Sequence, residues 1–583
     1  MQRLFLGLTQ ADPESPKEWV YFEPKDRMLT SGIILGGPGS GKSKFQEWMI
    51  RGDIDHTIRD HCGPALIDFH GSLFADVERY CARTLRLLDR PKVYILNPSD
   101  GDFILGFNPF LPRKGLLPDV QVSGMVDALL AVWGQENTDQ TPTLGRVLRL
   151  VFYAMHHKEI PIHDAHYLIN FSDHELRREI IDALPDEAIR NAWRELQTIK
   201  NLRDWQAQVL STENRLFRFI DSPIVRQFMG STDPGRNIDL LDILNRGDIL
   251  LVNLKPSGRL SRDNAHAFGA LLLNELFRIT TTERAVPPPN HYFVYIDEWQ
   301  NAITRDIDYI LAECRKFGIH LILGNQHVKQ IPEEIFDTVL TCCQMKAVFG
   351  GLPYEHARML VENMVAGQID LNEEKYVLEQ TKFWPKYGRD TVRVRGRVDG
   401  WSSGSGDVAS SGSGWSSTGD YADGSSFFSS TGHASSGSSG VSHADVETDI
   451  DIPILMPEPF KEVSQRVTYT LEEQLFRWAA RFKEQYQRHC FLKLPHHKTV
   501  PLGVPNVPEV SMLPDNLQSY RALAAHKTRG LPPAEVDGML EAEHHARFSL
   551  EAKPVIEAPA KEKRKTERSK KKSTPFDDII GRE

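Results

Sequence analysis

The chain has 583 residues, 40% of them hydrophobic, and its 79 acidic against 69 basic side chains give a formal net charge of −10. That size and apolar content support two or more domains with real cores, and the charge excludes a protein that holds nucleic acid by overall basicity, so any DNA contact must come from a local patch or a lined channel. No run reaches the ~18 apolar residues of a spanning helix, the N-terminal "MQRLFLGLTQADPE" is too weak for a signal peptide, and the cysteines lack paired zinc spacing, so a soluble, cytoplasmic protein with buried free thiols is expected.

In chain order, the first informative stretch is "SGIILGGPGSGKSKF". Ile33 to Leu35 read as a short buried strand, and "KSKFQEWMI" places Phe45, Trp48 and Met49 at helical spacing. Between them, Gly36, four residues, Gly41, Lys42 and Ser43 fit the phosphate-binding pattern G-x-x-x-x-G-K-[ST] without a mismatch. A loop built from Gly36, Gly37, Gly39, Ser40 and Gly41 is poor enough in side chains to curl its N–H groups around an anion. Lys42 is then expected to reach the β- and γ-phosphates, Ser43 to ligate Mg²⁺, and the helix N-terminus to present its positive end.

Similar short apolar runs follow: "PALIDF", "VYILNP", and much later "DILLVNL", "YFVYIDE", "HLILGNQ" and "MKAVFG". Their continuous apolarity points to strands covered on both faces, hence an α/β fold with a mostly parallel sheet. The stretch separating the early runs from the later ones is different. "TPTLGRVLRLVFYAM" sets Leu144, Leu148, Val151, Phe152 and Met155 on one helical face, with Thr141 as N-cap and Pro142 at the first helical position. The expected organisation is therefore a first core part over 1–114, an inserted all-α domain over 115–235 and a second core part over 236–399.

"HYFVYIDEWQ" ends a predicted strand on an acidic pair. Hydrolysis needs a metal anchor and a group that orients water, and Asp297 and Glu298 are the candidates for these roles. The helical pattern of "AITRDIDYILAECRKFG" ends at Gly318 with Arg315 and Lys316 in its last turn, where cations meet the helix dipole. "HLILGNQ" then delivers Gln326 to a strand's carboxyl end, the edge where ligands bind in open α/β sheets. A GTP-type Asn-Lys-x-Asp is absent from the chain, which favours ATP.

Residues 400–444 are mostly Ser and Gly and are expected to be a flexible insert. A return to the core is expected over 445–512, from the apolar pattern of "YTLEEQLFRWAARFKEQ", and a mostly disordered basic tail over 513–583. Within that tail, 561–573 holds eight basic residues against two acidic ones, a solvated run or a contact for an anionic partner.

The ordered series "GGPGSGKS", "ALIDFHGSL", "FNPF", "DILLVNLKPSGRL", "YIDEWQN" and "LAECRKFGIHLILGNQ" resembles the HerA/FtsK superfamily of ring-forming P-loop ATPases, most of all the coupling ATPases of type IV secretion in conjugative DNA transfer. The resemblance covers about residues 20 to 360. It implies a RecA-like core, ATP and Mg²⁺ as cofactors, a homo-hexamer, and single- or double-stranded DNA as cargo. It assigns Asp297 and Glu298 to the Walker B pair, Gln326 to phosphate sensing and Arg315 to a finger reaching the neighbouring subunit's nucleotide. Asp68 and His70 match the family's "DPHG" segment with Phe69 at the proline position, and their role stays open. The family's usual membrane helices have no counterpart here, so docking on a separate membrane subunit at the inner membrane, with a relaxase as a further partner, is one expectation. A HerA-like helicase working with a nuclease and an ATP-gated adaptor for protein cargo are the alternatives.

Overall fold

A computed structural model describes residues 2–9, 17–113, 116–133, 141–302, 307–400, 408–416, 426–434 and 442–548. In chain order its strands are β1 (Leu4–Thr9), β2 (Trp19–Phe22), β3 (Gly32–Leu35), β4 (Pro64–Asp68), β5 (Val93–Leu96), β6 (Ile249–Asn253), β7 (Tyr292–Asp297), β8 (Ile319–Asn325), β9 (Met345–Phe349), β10 (Glu374–Gly400), β11 (Val408–Ser416), β12 (Ser426–Ala434), β13 (Ser442–Thr468), β14 (His489–Lys493) and β15 (Val500–Gly503). The chain divides into two units, Met1–Val365 with Ala479–Glu583, and Ala366–Trp478.

The first unit is built on an eleven-stranded sheet in the order β2-β1-β15-β14-β9-β3-β8-β7-β4-β6-β5. From β9 to β5 every pairing is parallel. Every residue of β3, β4, β6, β7, β8 and β9 is buried, which is what continuous apolar runs predict when helices cover both faces of a sheet. This is the mostly parallel, RecA-like P-loop fold. The helix Lys42–Asp60 lays Phe45, Met49, Ile50 and Ile54 against the sheet, and Phe45 meets the Phe349 ring of β9 at 5.8 Å. β1, β2, β14 and β15 extend the sheet in antiparallel fashion.

Between β5 and β6 the named elements are all helical, from Pro118–Trp133 to Leu240–Arg246. Trp193 and Trp205 are buried in this segment, and the Trp205 indole N–H donates to the Ile169 carbonyl at 2.9 Å. Asp186 and Asn201 cap two of its helices by accepting from the backbone N–H groups of the first turn. The segment clusters with the sheet in one unit.

The disorder expected from residue 513 onward is corrected up to Phe548, because Pro514–Thr528 and Pro533–Phe548 are helices. Their anchors are few and specific. Tyr520 and Ala524 are buried, and the Arg521 guanidinium grips the fully buried Glu78 carboxylate through two bonds of 2.8 and 2.9 Å. On the second of these helices, His544 donates to Asp164 at 3.0 Å and Arg547 lies 3.4 Å from the other oxygen of that carboxylate. Residues 549–583, including the basic run 561–573, lie outside the described residues.

In the second unit β10 and β13, 27 residues each, pair antiparallel over their length, and β11 pairs β12. The return to the core expected at 445 therefore comes only at Ala479. The reason is periodicity: "DVETDIDI", 445–452, alternates polar and apolar residues, which suits a ribbon with one apolar face. Part of the insert expected to be flexible, 400–444, forms β11 and β12, and most of its remainder lies outside the described residues.

Candidate nucleotide-binding site

The loop after β3 curls because its residues have almost no side chains to obstruct it. Gly39 and Gly41 adopt φ of 75° and 108°, and a Cβ at Gly36 would stand 2.5 Å from the Phe349 Cβ. The Gly36 and Gly37 N–H groups are used by the carbonyls of Asn325 and Gly350, at 3.3 and 3.0 Å, which pins the loop's first half to β8 and β9. The second half is pinned by Arg488, whose N–H donates to the Ser40 carbonyl at 2.8 Å. Helix Lys42–Asp60 starts directly from Gly41, so Lys42 and Ser43 sit in its first turn.

Lys42 brings together what the chain separates by more than 250 positions. Its ammonium donates to Asp297 Oδ1 and Glu298 Oε1, both at 2.8 Å, and all three side chains are nearly buried. The sheet order explains the meeting, since β8 stands between β3 and β7 and the carboxyl ends of all three point to one edge. Glu298 follows β7 with φ at 54°, a left-handed conformation that strains a non-glycine residue and recurs at functional sites.

Burial works against every charge in this cluster. For Lys42 it lowers the pKa, but the carboxylates of Asp297 and Glu298 outweigh it and hold the ammonium above its usual range. Burial raises Asp297, the deepest of the three, and nearby Asp68 adds to it, so its carboxyl stays above the usual carboxylate range despite Lys42. Glu298 ends lower than usual, because Lys42 and a hydrogen bond from Gln300 outweigh its burial. The two adjacent acids are thus held apart in acidity by their surroundings.

Several contributors carry no motif. Gln300 Nε2 donates to Glu298 Oε2 at 2.7 Å, and Asn325 Nδ2 donates to Gln300 Oε1 at 2.8 Å, a relay that orients Glu298. Gln46 is fully buried, with neither end of its amide hydrogen-bonded. A Cβ at Gly324 would stand 2.4 Å from its Nε2 and 2.9 Å from Asp297 Oδ1, so this glycine in β8 makes room for both. His70 Nε2 lies 3.9 Å from Glu298 Oε1. Asp68 accepts from the N–H groups of His70 and Phe74, at 2.7 and 2.8 Å, and so shapes the turn into helix Ser72–Thr84.

Two residues singled out from the sequence stand apart from this cluster. Arg315 is exposed on a 3-10 turn, Cys314–Phe317, that follows the short helix Ile307–Glu313, and its guanidinium donates to the Leu29 carbonyl at 3.1 Å. Gln326 directly follows β8, half-buried, with its N–H donating to Gln330 Oε1 at 2.9 Å. Chemically, the cradle suits a phosphate. The Ser40 hydroxyl and the Gln46 amide are buried polar groups without partners. The Ser43 hydroxyl, in the helix's first turn, and the Asp297 carboxylate are hard oxygen donors, the type Mg²⁺ takes.

No protein-family model and no curated protein matches the chain. Among solved structures it is similar to the bacterial conjugative coupling protein TrwBdeltaN70 in its unbound form, at 11% identity over 85% of this chain and 88% of that one, with a TM-score of 0.48. It is also similar to TrwB in complex with the ATP analogue ADPNP, at 14% identity over 62% of this chain and 83% of that one, TM-score 0.42. A third similar structure is VirB4 of Thermoanaerobacter pseudethanolicus, at 13% identity over 62% of this chain and 87% of that one, TM-score 0.39.

Proposed function

We propose that this chain is an ATPase that drives DNA translocation, acting as a homo-hexamer in the manner of a type IV secretion coupling protein. The observation that carries the ATPase reading is the double contact of Lys42 with Asp297 and Glu298. It joins a phosphate cradle to the acidic pair that hydrolysis requires. On ATP binding, Lys42 exchanges these carboxylates for the terminal phosphates. Ser43 and Asp297 would hold Mg²⁺, which would supply positive charge to offset that of the phosphates. Released from Lys42, Glu298 orients the attacking water and accepts its proton, while Gln300 and Asn325 keep the carboxylate aimed. Gln326 contacts the γ-phosphate from the end of β8. Arg315, on the protein surface, reaches the nucleotide of the next copy, where a trans guanidinium stabilises the charge of the transition state.

The finer reading, DNA as cargo with docking at the inner membrane through a membrane secretion subunit and a relaxase, rests on the ordered motif series and especially on "FNPF" and the spacing from "RKFG" to "NQ". Phosphate release by the full chain, measured alone and with single- or double-stranded DNA, tests it. We expect DNA to stimulate turnover and Lys42→Ala to abolish it. Turnover indifferent to both kinds of DNA contradicts the pump and leaves the ATPase standing.

A further inference from the structure

The ribbon of the second unit is a two-stranded sheet with both edges open. β10 and β13 pair with each other and, among the described residues, with no other strand, so each keeps a full outer edge of backbone donors and acceptors. At ~3.3 Å per residue such strands extend about 90 Å. A lone two-stranded ribbon is marginal in water, and a long open edge is a template for another strand.

Its side chains say which strand. The register sets Arg393 against Asp449 and Arg395 against Glu447 on one face, with bonds of 3.0 and 2.8 Å. The opposite face carries Val392, Val394 and Ile452, which are 41%, 45% and 40% exposed. An amphipathic ribbon of this kind buries its apolar face when further strands extend it and the sheet curls shut over that face. The two strands also differ in sign: β10 has seven basic and four acidic residues, β13 two basic and six acidic. A β10 edge laid on another β10, or β13 on β13, therefore opposes like charges, whereas β10 beside β13 opposes unlike ones.

Proline and charge together narrow the place. Pro385 in β10 and Pro453, Pro457 and Pro459 in β13 lack the N–H that a new neighbour would need. Proline thus divides β10 into 374–384 and 386–400 and leaves 442–452 and 460–468 of β13 clear, and of these 386–400 and 442–452 hold Arg389, Arg393 and Arg395 on one strand and Glu447, Asp449 and Asp451 on the other. Strand capture is allowed where the charges are most complementary.

We infer that the ribbon pairs with ribbons of other copies of this chain, β10 of each beside β13 of the next, over 386–400 and 442–452. A head-to-tail contact of this kind makes a ring where its rotation closes, which is the case we infer. The product is an up-and-down β-barrel with two strands from each copy and no open edge over these stretches. It requires several copies around one axis, as the ring reading does, but neither ATP hydrolysis nor DNA.

The test mixes two populations of the full chain, one carrying Val394→Cys and the other a single cysteine scanned through positions 446 to 452, under mild oxidation. Five of the six native cysteines are buried, which keeps the background low. Because the new thiols sit on different molecules, only contact between copies links them. We expect a disulfide-linked pair of chains at one or two scanned positions of the same parity, and no link of Val394→Cys to itself. Absence of linkage at every position, or self-linkage of Val394→Cys as efficient as the mixed product, overturns the barrel. Native mass on the same samples separates the two readings: a hexamer without ribbon linkage defeats the barrel and leaves the ring, while linked chains in a non-hexameric assembly do the reverse.

Discussion

Lys42 and Lys386 both hold carboxylates at hydrogen-bonding distance, 2.8 Å to Asp297 and 3.2 Å to Glu458, and they have little else in common. The Lys42 side chain is 7% exposed, and that of Lys386 is 68%. In the sheet, charges taken from water depend on each other, so removing one leaves an uncompensated ion in a low dielectric. On the ribbon, water supports each charge alone and salt screens the attraction. Buried ions thus carry chemistry at high stakes, while exposed ones decide which strand lies next to which.

The largest break in that contrast is expected from Lys42→Ala. With its phosphate contact gone and two buried carboxylates left facing each other, ATP turnover should fall by ~10³-fold or more, read as phosphate release. Next is Arg521→Ala, which strands Glu78. Burial already raises the Glu78 pKa, and Arg521 is what opposes that. Urea unfolding should show a loss of about 3–5 kcal/mol, with Glu78 taking up a proton instead.

Lys346 sharpens the comparison from the other side, since it is a buried cation in β9 whose pKa burial lowers to about 8. Its folded pKa lies below its ordinary value of 10.5, so the folded state carries a penalty below pH 8 that fades as pH rises to 10.5. Lys346→Met should raise stability at neutral pH by up to about 3 kcal/mol and abolish that rise, as thermal unfolding across the pH range would register. The smallest effect belongs to Lys386→Ala, expected to shift the unfolding midpoint by less than the equivalent of about 1 kcal/mol.

Much of the sheet is legible in the chain because buried parallel strands write themselves as unbroken apolar runs, and the cradle because Gly36 to Ser43 is one contiguous stretch. What escaped is defined by partners far away. Gln46, Gln300 and Asn325 read as ordinary polar residues until the order β3-β8-β7 brings them beside the acidic pair. β14 and β15 join the sheet as short antiparallel additions, and helix Pro514–Thr528 is held by Tyr520 and Arg521 rather than by a long apolar stripe. The ribbon was obscured by the Ser- and Gly-rich stretch that separates its two strands in the chain, although "DVETDIDI" shows the period of two that makes it a strand.

The division of labour around Lys42 is tested most directly by Glu298→Gln. With a fluorescent ATP analogue for binding and phosphate release for turnover, the variant should hold nucleotide about as tightly as the unaltered chain and hydrolyse it at least ~100-fold more slowly. Hydrolysis at an unchanged rate would show that Glu298 does not orient the water, and the site proposed around Lys42 and the acidic pair would not be the engine.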